Sequence, residues 1–300
     1  MIVAVTGGTG FVGRAVVSEL LKAGHEVRIL SRKAPERLPE GARHVSGSVV
    51  TGEGLNILVE GVDAVVHLVG IIKESGANTF KAAHYEGTVN ILAAASRAEV
   101  RRYLHMSAMG TRKDAVSKYH RTKYAAEEAV RASGLDWTIF RPSTIFGPSD
   151  AFINMLTDMM RKTPVMPVVG GGKSRMQPIS VENVAAAFRK ALESDVTIRK
   201  TYELGGPEQL NLRQVLNIVS KVIDKSRLFI SVPLVIMTPV AKLGELLRLP
   251  LPVTSDQLIM IGEDNIRTGG DPVEELGIDW TPFEEGIKQY LVSSVKKNSI

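Results

Sequence analysis

Residues 2–33 read as a single strand–turn–helix–strand unit. Ile2-Val3-Ala4-Val5 is a short apolar, largely β-branched run, which predicts a buried strand. Thr6-Gly7-Gly8-Thr9-Gly10-Phe11-Val12-Gly13 follows at once, with Gly7, Gly10 and Gly13 in the spacing G-x-x-G-x-x-G. Phe11, Val12, Ala15, Val16, Leu20 and Leu21 recur at helical spacing, so a helix opens inside the glycine run. Gly24 stands where a C-terminal cap would, and Val27 to Leu30 is a second apolar strand. A Cβ at Gly7 or Gly10 would block close approach of a diphosphate to the backbone, and one at Gly13 would push helix from sheet. The helix N-terminus then offers N–H groups and a partial positive charge to phosphates. Glycines alone are weak evidence in a chain with 27 of them. The flanking strands and helix are what make this a dinucleotide-binding turn.

The alternation continues. Arg43 to Ser46, Val62 to Val69, Arg102 to Met106 and Trp137 to Phe140 read as strands. Asn78 to Arg97 and Ser117 to Ala132 read as helices, the second ended by Gly134. Val181 to Leu192 reads as a further helix and Thr201 to Leu204 as a seventh strand. Strands and helices in this order predict an α/β, Rossmann-type, doubly wound parallel sheet, with ligands beyond the carboxyl ends of its strands. After Pro142 the pattern changes, with breaks at Gly147-Pro148 and Gly170-Gly171-Gly172. Residues 1–146 and 178–204 are expected to form the dinucleotide-binding domain. Residues 147–177 and 205–300 are expected to form a smaller, mostly helical substrate-binding domain, with helices at Leu212–Val222, Leu234–Leu247 and Pro282–Val295.

Composition narrows the function classes. The chain has no cysteine, which excludes disulfides and thiol chemistry. The net charge of +5 is scattered, and no nucleic-acid motif accompanies it, so an anionic cofactor is the preferred reading over nucleic acid. Nothing calls for a metal. Leu228 to Ala241 is apolar but interrupted by Ser231, Pro233, Thr238 and Pro239, too broken to span a bilayer. Apolar residues of Leu228–Leu251, with Lys242 and Arg248 at helical spacing, could lie on a membrane surface, but core packing is the preferred reading. The strand at residue 2 leaves no room for a leader, so a cytoplasmic protein is expected. The sequence carries no signal for oligomeric state.

Tyr119-His120-Arg121-Thr122-Lys123 places a phenol and an ammonium on one helix face. A tyrosine pKa near 10 is too high for proton transfer at neutral pH. An ammonium about 5 Å away, at an effective dielectric near 20, favours the phenolate by about 3 kcal/mol, or roughly two pKa units. Tyrosine as acid/base with lysine as its electrostatic partner is therefore coherent. Composition alone would produce such a pair about once in three chains of this kind. Its placement on the helix after the fifth strand is what gives it weight.

With these motifs the chain resembles the short-chain dehydrogenase/reductase superfamily in its extended, epimerase/dehydratase-like form. The resemblance rests on the glycine run, His67-Leu68-Val69-Gly70, Glu86-Gly87-Thr88, Tyr119/Lys123, Arg141-Pro142-Ser143 with Gly147-Pro148, Gln177 to Val184, and Tyr202 to Gly206. Within it the chain is most similar to the atypical branch containing the nucleotide-binding accessory subunit of mitochondrial complex I and its bacterial relatives, with NmrA-like proteins nearby. The resemblance implies cofactor contacts from Gly7, Thr9, Gly10, Phe11, Val12 and Gly13, and from Ser31, Arg32, Ser48 and Val49. It implies further contacts from Leu68, Val69, Gly70 and Met106, from Tyr119 and Lys123, and from Pro142, Ser143, Thr144 and Ile145. Arg175 resembles the residue that grips an anionic substrate, and Ala108 and Met109 fall beside the substrate.

Three positions depart from the family pattern. The catalytic hydroxyl place falls on Ala108, with Ser107 one residue earlier. The helix Asn of the family is His84. The acid expected after strand two is Ser31, followed by Arg32 and Lys33, which suits a 2′-phosphate, so NADP(H) is expected ahead of NAD(H). The leading expectation is an NAD(P)-dependent oxidoreductase or epimerase acting on a small-molecule substrate. Tyr119 would exchange the proton, with Lys123 as its partner and Ser107 assisting. The alternative is a non-catalytic NAD(P)H-binding redox sensor or accessory subunit of a respiratory-type complex.

Overall fold

A parallel sheet covered on both faces needs strands that are apolar all round. The chain supplies two in its centre: Val3 to Thr6 and Ala64 to His67 are fully removed from solvent. The computed structural model describes residues 1–247 and 253–297. In chain order its elements begin β1 (Ile2–Thr6), α1 (Phe11–Lys22), β2 (Glu26–Ser31), β3 (Ala42–Ser46), α2 (Leu55–Val59) and β4 (Ala64–His67). A wide π-turn at Lys81–Glu86 leads into α3 (Gly87–Arg97), then β5 (Arg102–Met106), α4 (Lys118–Ala132) and β6 (Asp136–Pro142). Next come β7 (Ile145–Phe146), α5 (Phe152–Lys162), β8 (Val165–Val169), β9 (Arg175–Met176), β10 (Ile179–Ser180), α6 (Val181–Leu192) and β11 (Lys200–Leu204). The chain ends in β12 (Leu210–Asn211), α7 (Leu212–Val222), β13 (Leu228–Val232), α8 (Leu234–Leu246), α9 (Ser255–Ile261), α10 (Val273–Leu276) and α11 (Phe283–Lys297).

Met1–Pro142, Val181–Leu204 and Asp271–Ile278 form one compact unit. Its seven strands run in the order β11-β6-β5-β4-β1-β2-β3, every neighbouring pair parallel. The order reverses at β1, between β4 and β2, so the crevice above the carboxyl ends of β1 and β4 is the ligand position of such a sheet. On one face Ile91, Ala94, Ala95, Leu58 and Tyr103 form a dry core. The Asp271–Ile278 segment joins this unit: the Tyr202 hydroxyl donates to Glu275 at 2.6 Å, and Lys200 pairs with the same carboxylate.

Ser143–Ser180, Gly205–Gly270 and the chain from Asp279 form the other unit. It holds three small strand pairs, β7–β10 and β8–β13 parallel and β9–β12 antiparallel. Its core includes Phe146, Ile153, Met166, Leu216, Phe283 and Ile287.

The strands predicted from periodicity are present within a residue or two of their expected ends. Three differences have physical causes. The predicted Asn78–Arg97 helix is a π-turn followed by α3, because the wide turn brings Ala82, Ala83 and His84 inside. The Leu228–Ala241 stretch splits at Pro233 into β13 and α8. Core packing, preferred for Leu228–Leu251, applies to one side of α8 alone. Ala241 is buried, but Val235, Ile236, Val240, Leu243 and Leu247 are exposed. Arg248 and Leu251 lie outside the described residues. Among the described residues no helix is long and apolar enough to cross a membrane.

Candidate functional site

The glycine turn joins β1 to α1 at the switch of strand order. Gly7 has φ +76°, and a Cβ there would stand 3.0 Å from the Leu68 carbonyl carbon and 3.1 Å from the Val69 nitrogen. A Cβ on Gly13 would come within 2.0 Å of the Gly7 oxygen. Gly13 thus lets the helix settle on its own turn, a tighter constraint than the helix–sheet spacing expected of it. Gly10 N–H donates to the Gly7 oxygen at 3.0 Å. The N-cap of α1 is Gly10, with no side-chain cap and no acid in the first turn. That end of the helix is shaped and polarised for an anion. Arg14, not singled out by the sequence motifs, folds its Nη1 back onto the Thr9 oxygen at 2.9 Å. A basic residue in the first turn of a glycine-headed helix was the available signal.

At the end of β2, the Ser31 hydroxyl donates to the Lys33 oxygen at 2.7 Å, while Arg32 and Lys33 are exposed. After β3, Ser48 Oγ accepts from Val50 N–H at 3.2 Å, and the Val49 oxygen accepts from Asn90 at 2.8 Å. Leu68 is buried and Gly70 exposed at the exit of β4. A Cβ on Gly70 would lie 3.0 Å from Lys123 Nζ.

Helix α4 carries the phenol and the amine. Ser117 caps it by accepting from His120 N–H at 3.3 Å. Tyr119, Lys123, Glu127 and Arg131 follow at four-residue steps on one face. Lys123 Nζ donates to the Met106 oxygen at 2.9 Å and to the Val69 oxygen at 3.4 Å, tying the helix to the ends of β5 and β4. Glu127, wholly buried, accepts from Arg141 at 2.6 and 2.8 Å and from Arg131 at 2.8 Å. Burial pushes the Tyr119 phenol up to about 12. Burial also pulls the Lys123 ammonium down to about 8, opposed by the Glu127 charge. The lowered phenol expected from the helical spacing is thus not observed. The ammonium is spent on two carbonyls, and desolvation of the phenol outweighs its pull.

His84 packs its ring on Phe80 at 5.4 Å and against the edge of Tyr119 at 5.1 Å. Thr122 Oγ1 donates to the Tyr119 oxygen, so His84 Nδ1 donates to Thr122 at 2.9 Å and Nε2 accepts from Ile71 N–H at 3.1 Å. Burial, then Lys123, pulls this imidazole down to about 2. It is a neutral brace between the β4 exit and α4. A second chain escaped the sequence reading. Thr88 donates to the His84 oxygen at 2.6 Å, so His67 Nε2 donates to Thr88 at 3.1 Å and Nδ1 accepts from Thr6 at 2.6 Å. It clamps the last residues of β1 and β4 beneath the glycine turn.

Ser107 is buried beyond β5, its hydroxyl 3.4 Å from that of Thr111, its N–H on the Phe140 oxygen at 2.7 Å. Ala108 is partly exposed, and Met109 N–H donates to the Pro142 oxygen at 2.9 Å. Thr111 is a second hydroxyl that the motif spacing did not reveal. In the other unit, Ser143 Oγ donates to the Asn265 oxygen at 2.7 Å and accepts from Gln177 N–H at 3.1 Å. The Thr144 oxygen accepts from Ile179 N–H at 3.0 Å, and Ile145 pairs with Ile179. Arg175 is exposed, its charge matched by Asp264 at 2.8 Å and its Nη1 on Gln209 at 3.2 Å. Its guanidinium is therefore engaged by a carboxylate of this chain.

A family model described as NAD(P)H-binding matches residues 7–195. The chain is 29% identical over 284 residues to NADH dehydrogenase (ubiquinone) 1 alpha subcomplex subunit 9, mitochondrial, of Arabidopsis thaliana, covering 89% of this chain and 70% of that one. It is 34% identical over 190 residues to ceramide reductase of Caulobacter vibrioides, covering 62% of this chain and 59% of that one, so less than two thirds of the second relative is spanned. Among solved structures it superposes on a dTDP-glucose 4,6-dehydratase from Streptomyces venezuelae determined with NAD bound. The TM-score is 0.76 at 21% identity, over 99% of this chain and 98% of that one, a likeness of fold.

Proposed function

The chain belongs to the NAD(P)H-binding family, among the atypical, epimerase/dehydratase-like short-chain dehydrogenase/reductases, and from that membership we propose an NADP(H)-dependent oxidoreductase acting at a carbonyl or alcohol carbon. The observation that carries the proposal is one helix face. Tyr119 and Lys123 share one face of α4, with Lys123 Nζ beside Gly70, in the unit that holds the side-chain-uncapped glycine turn. That turn, with Gly7 left-handed and Gly13 without room for a Cβ, fits a dinucleotide diphosphate.

A nicotinamide held at this site would supply the hydride exchanged with the substrate carbon. The residues of the chain do the rest. The start of α1 holds the diphosphate, with Arg14 at its edge. Arg32 and Lys33, with no acid directly after β2, favour a 2′-phosphate. A phenol held up at about 12 is a proton donor at neutral pH, so Tyr119 gives its proton to the carbonyl oxygen in the reducing direction. Lys123 fixes α4 against β4 and β5, and its cation stabilises the phenolate left behind. Ser107 is the hydroxyl beside Ala108, which has none. The Caulobacter relative's name supports reduction over epimerisation.

A Tyr119→Phe variant tests this. NADPH-dependent carbonyl reduction should fall by about 10²- to 10⁴-fold, while NADPH affinity measured by fluorescence titration changes by less than about twofold. Unchanged turnover overturns the mechanism. The second reading, a non-catalytic accessory subunit or redox sensor, draws on the Arabidopsis relative's name and on Ala108. It prevails if the wild-type protein binds NADPH yet reduces no aldehyde, ketone or quinone in a broad panel.

A further inference from the structure

Helix α8 is built inside out. At about 100° per residue, Val235, Ile236, Pro239, Val240, Leu243 and Leu247 fall within roughly 140° of its circumference. This is the exposed side: Val235 is 83% exposed and Val240 51%. Inward stand Ala241 and Gly244, both buried, with the half-buried Leu234 and Met237, so the outward side carries more exposed aliphatic surface than the inward side needs. A helix covered only by water has the opposite arrangement. β13, which leads into α8 through Pro233, is exposed as well. Leu228 and Ile230, two residues apart on one side of that strand, are 63% and 49% exposed. Patches of this kind mark contact sites.

The chemistry selects the occupant. The patch is aliphatic throughout, without the Tyr, Trp, Met or Arg that anchor protein interfaces. Basic residues stand near it. Lys242 lies on α8, and Lys173 follows the Gly170–Gly172 turn whose first glycine packs near Leu234. Neither lysine pairs with an acid among the described residues. Arg213, near Gly172, reaches Ser231 of β13 at 3.2 Å. The acid on α8, Glu245, is taken up by α9, accepting from Ser255 N–H at 2.7 Å and from its hydroxyl at 2.8 Å. An aliphatic face with a basic fringe matches the acyl boundary and headgroups of an anionic bilayer. At 13 residues, about 20 Å, α8 suits lying in the interface plane.

We propose that α8 and β13 form a docking surface for an anionic lipid bilayer, with Val235, Ile236, Val240 and Leu243 inserted among the lipids and Lys173, Arg213 and Lys242 at the headgroups. The full chain would be sedimented with phosphatidylcholine vesicles with and without ~30% phosphatidylglycerol. A Val240→Glu/Leu243→Glu variant would be compared, both positions being exposed and outside the cofactor unit. Wild-type protein should pellet with the anionic vesicles at least ~10-fold more tightly than with neutral ones, and lose binding as salt rises. The double variant should lose at least ~10-fold, with NADPH affinity and oligomeric state unchanged. Wild-type protein that stays in the supernatant, or a variant that pellets like wild type, overturns the proposal. Equal binding to both vesicle types also overturns it, because the basic fringe would then play no part. A wild-type dimer that the variant splits, without vesicle binding, overturns it in favour of a second copy of this chain.

Discussion

Three buried imidazoles, His67, His84 and His105, share the interior beside Lys123. Burial pulls His67 down to about 3 and His84 to about 2, and it holds His105 well below the ordinary value of 6.5. His105 stacks on His67 at 5.5 Å, and neither of its ring nitrogens has a hydrogen-bond partner among the described residues. All three are neutral in the fold, whereas the unfolded chain takes up three protons as pH falls below 6.5. The stability they allow is therefore present above that pH and is lost as pH drops toward 3. Between pH ~7.5 and ~5.5 the loss should be about 4 kcal/mol in urea unfolding, a range above most carboxylate titration. A His105→Leu variant should lose about one third less over the same range. A pH-independent unfolding free energy across that window would show these rings to be protonated or hydrated in the native state.

At the scale of the element, α4 is organised by charge as much as by apolar burial. Its inner face runs phenol, ammonium, carboxylate, guanidinium. The carboxylate of Glu127 is wholly buried between Arg131 and, from β6, Arg141. Removing the anion strands Arg141 in a poorly solvated place. Glu127→Ala should therefore cost about 3–5 kcal/mol in denaturant unfolding. Arg131 is about a third exposed and leaves Arg141 in place, so Arg131→Ala should cost less than ~1 kcal/mol. Equal costs for the two would show that the buried carboxylate does not anchor the helix through Arg141. The same face explains why the lysine sits where it does. Its amine bridges carbonyls at the ends of β4 and β5, so Tyr119 is mounted on a helix fixed to the sheet's carboxyl edge.

At the scale of the whole molecule, a net charge of +5 favours an anionic cofactor, and a ligand that binds only the folded state stabilises it by mass action. NADPH at ~100 times its dissociation constant should add about 2.7 kcal/mol. At matched concentrations NADPH should raise Tm more than NADH, and Arg32→Asp should reverse that order. Equal shifts from both cofactors, or an unchanged order in the variant, would remove Arg32 from phosphate recognition.

The sequence by itself determined the Rossmann-type sheet, because glycine spacing and periods of two and 3.6 residues are local properties. Ile2 to Leu30 needs no distant partner to be read as strand, turn, helix and strand, and four-residue spacing alone sets Tyr119 and Lys123 on one face. Phe152–Lys162 does carry a helical period, Ile153, Leu156 and Met160 recurring at three- and four-residue steps, but it is short and set between two glycine-rich breaks, and Pro167 argues against a strand in the segment after it. Tertiary structure alone decided what each charge meets. Lys123 finds a carbonyl 54 residues away and Arg175 a carboxylate 89 residues away. It also decided that the phenol titrates high and that Val235, Ile236, Val240, Leu243 and Leu247 of α8 face outward. Burial and electrostatic partners are sums over residues far apart in the chain, and no local pattern carries them.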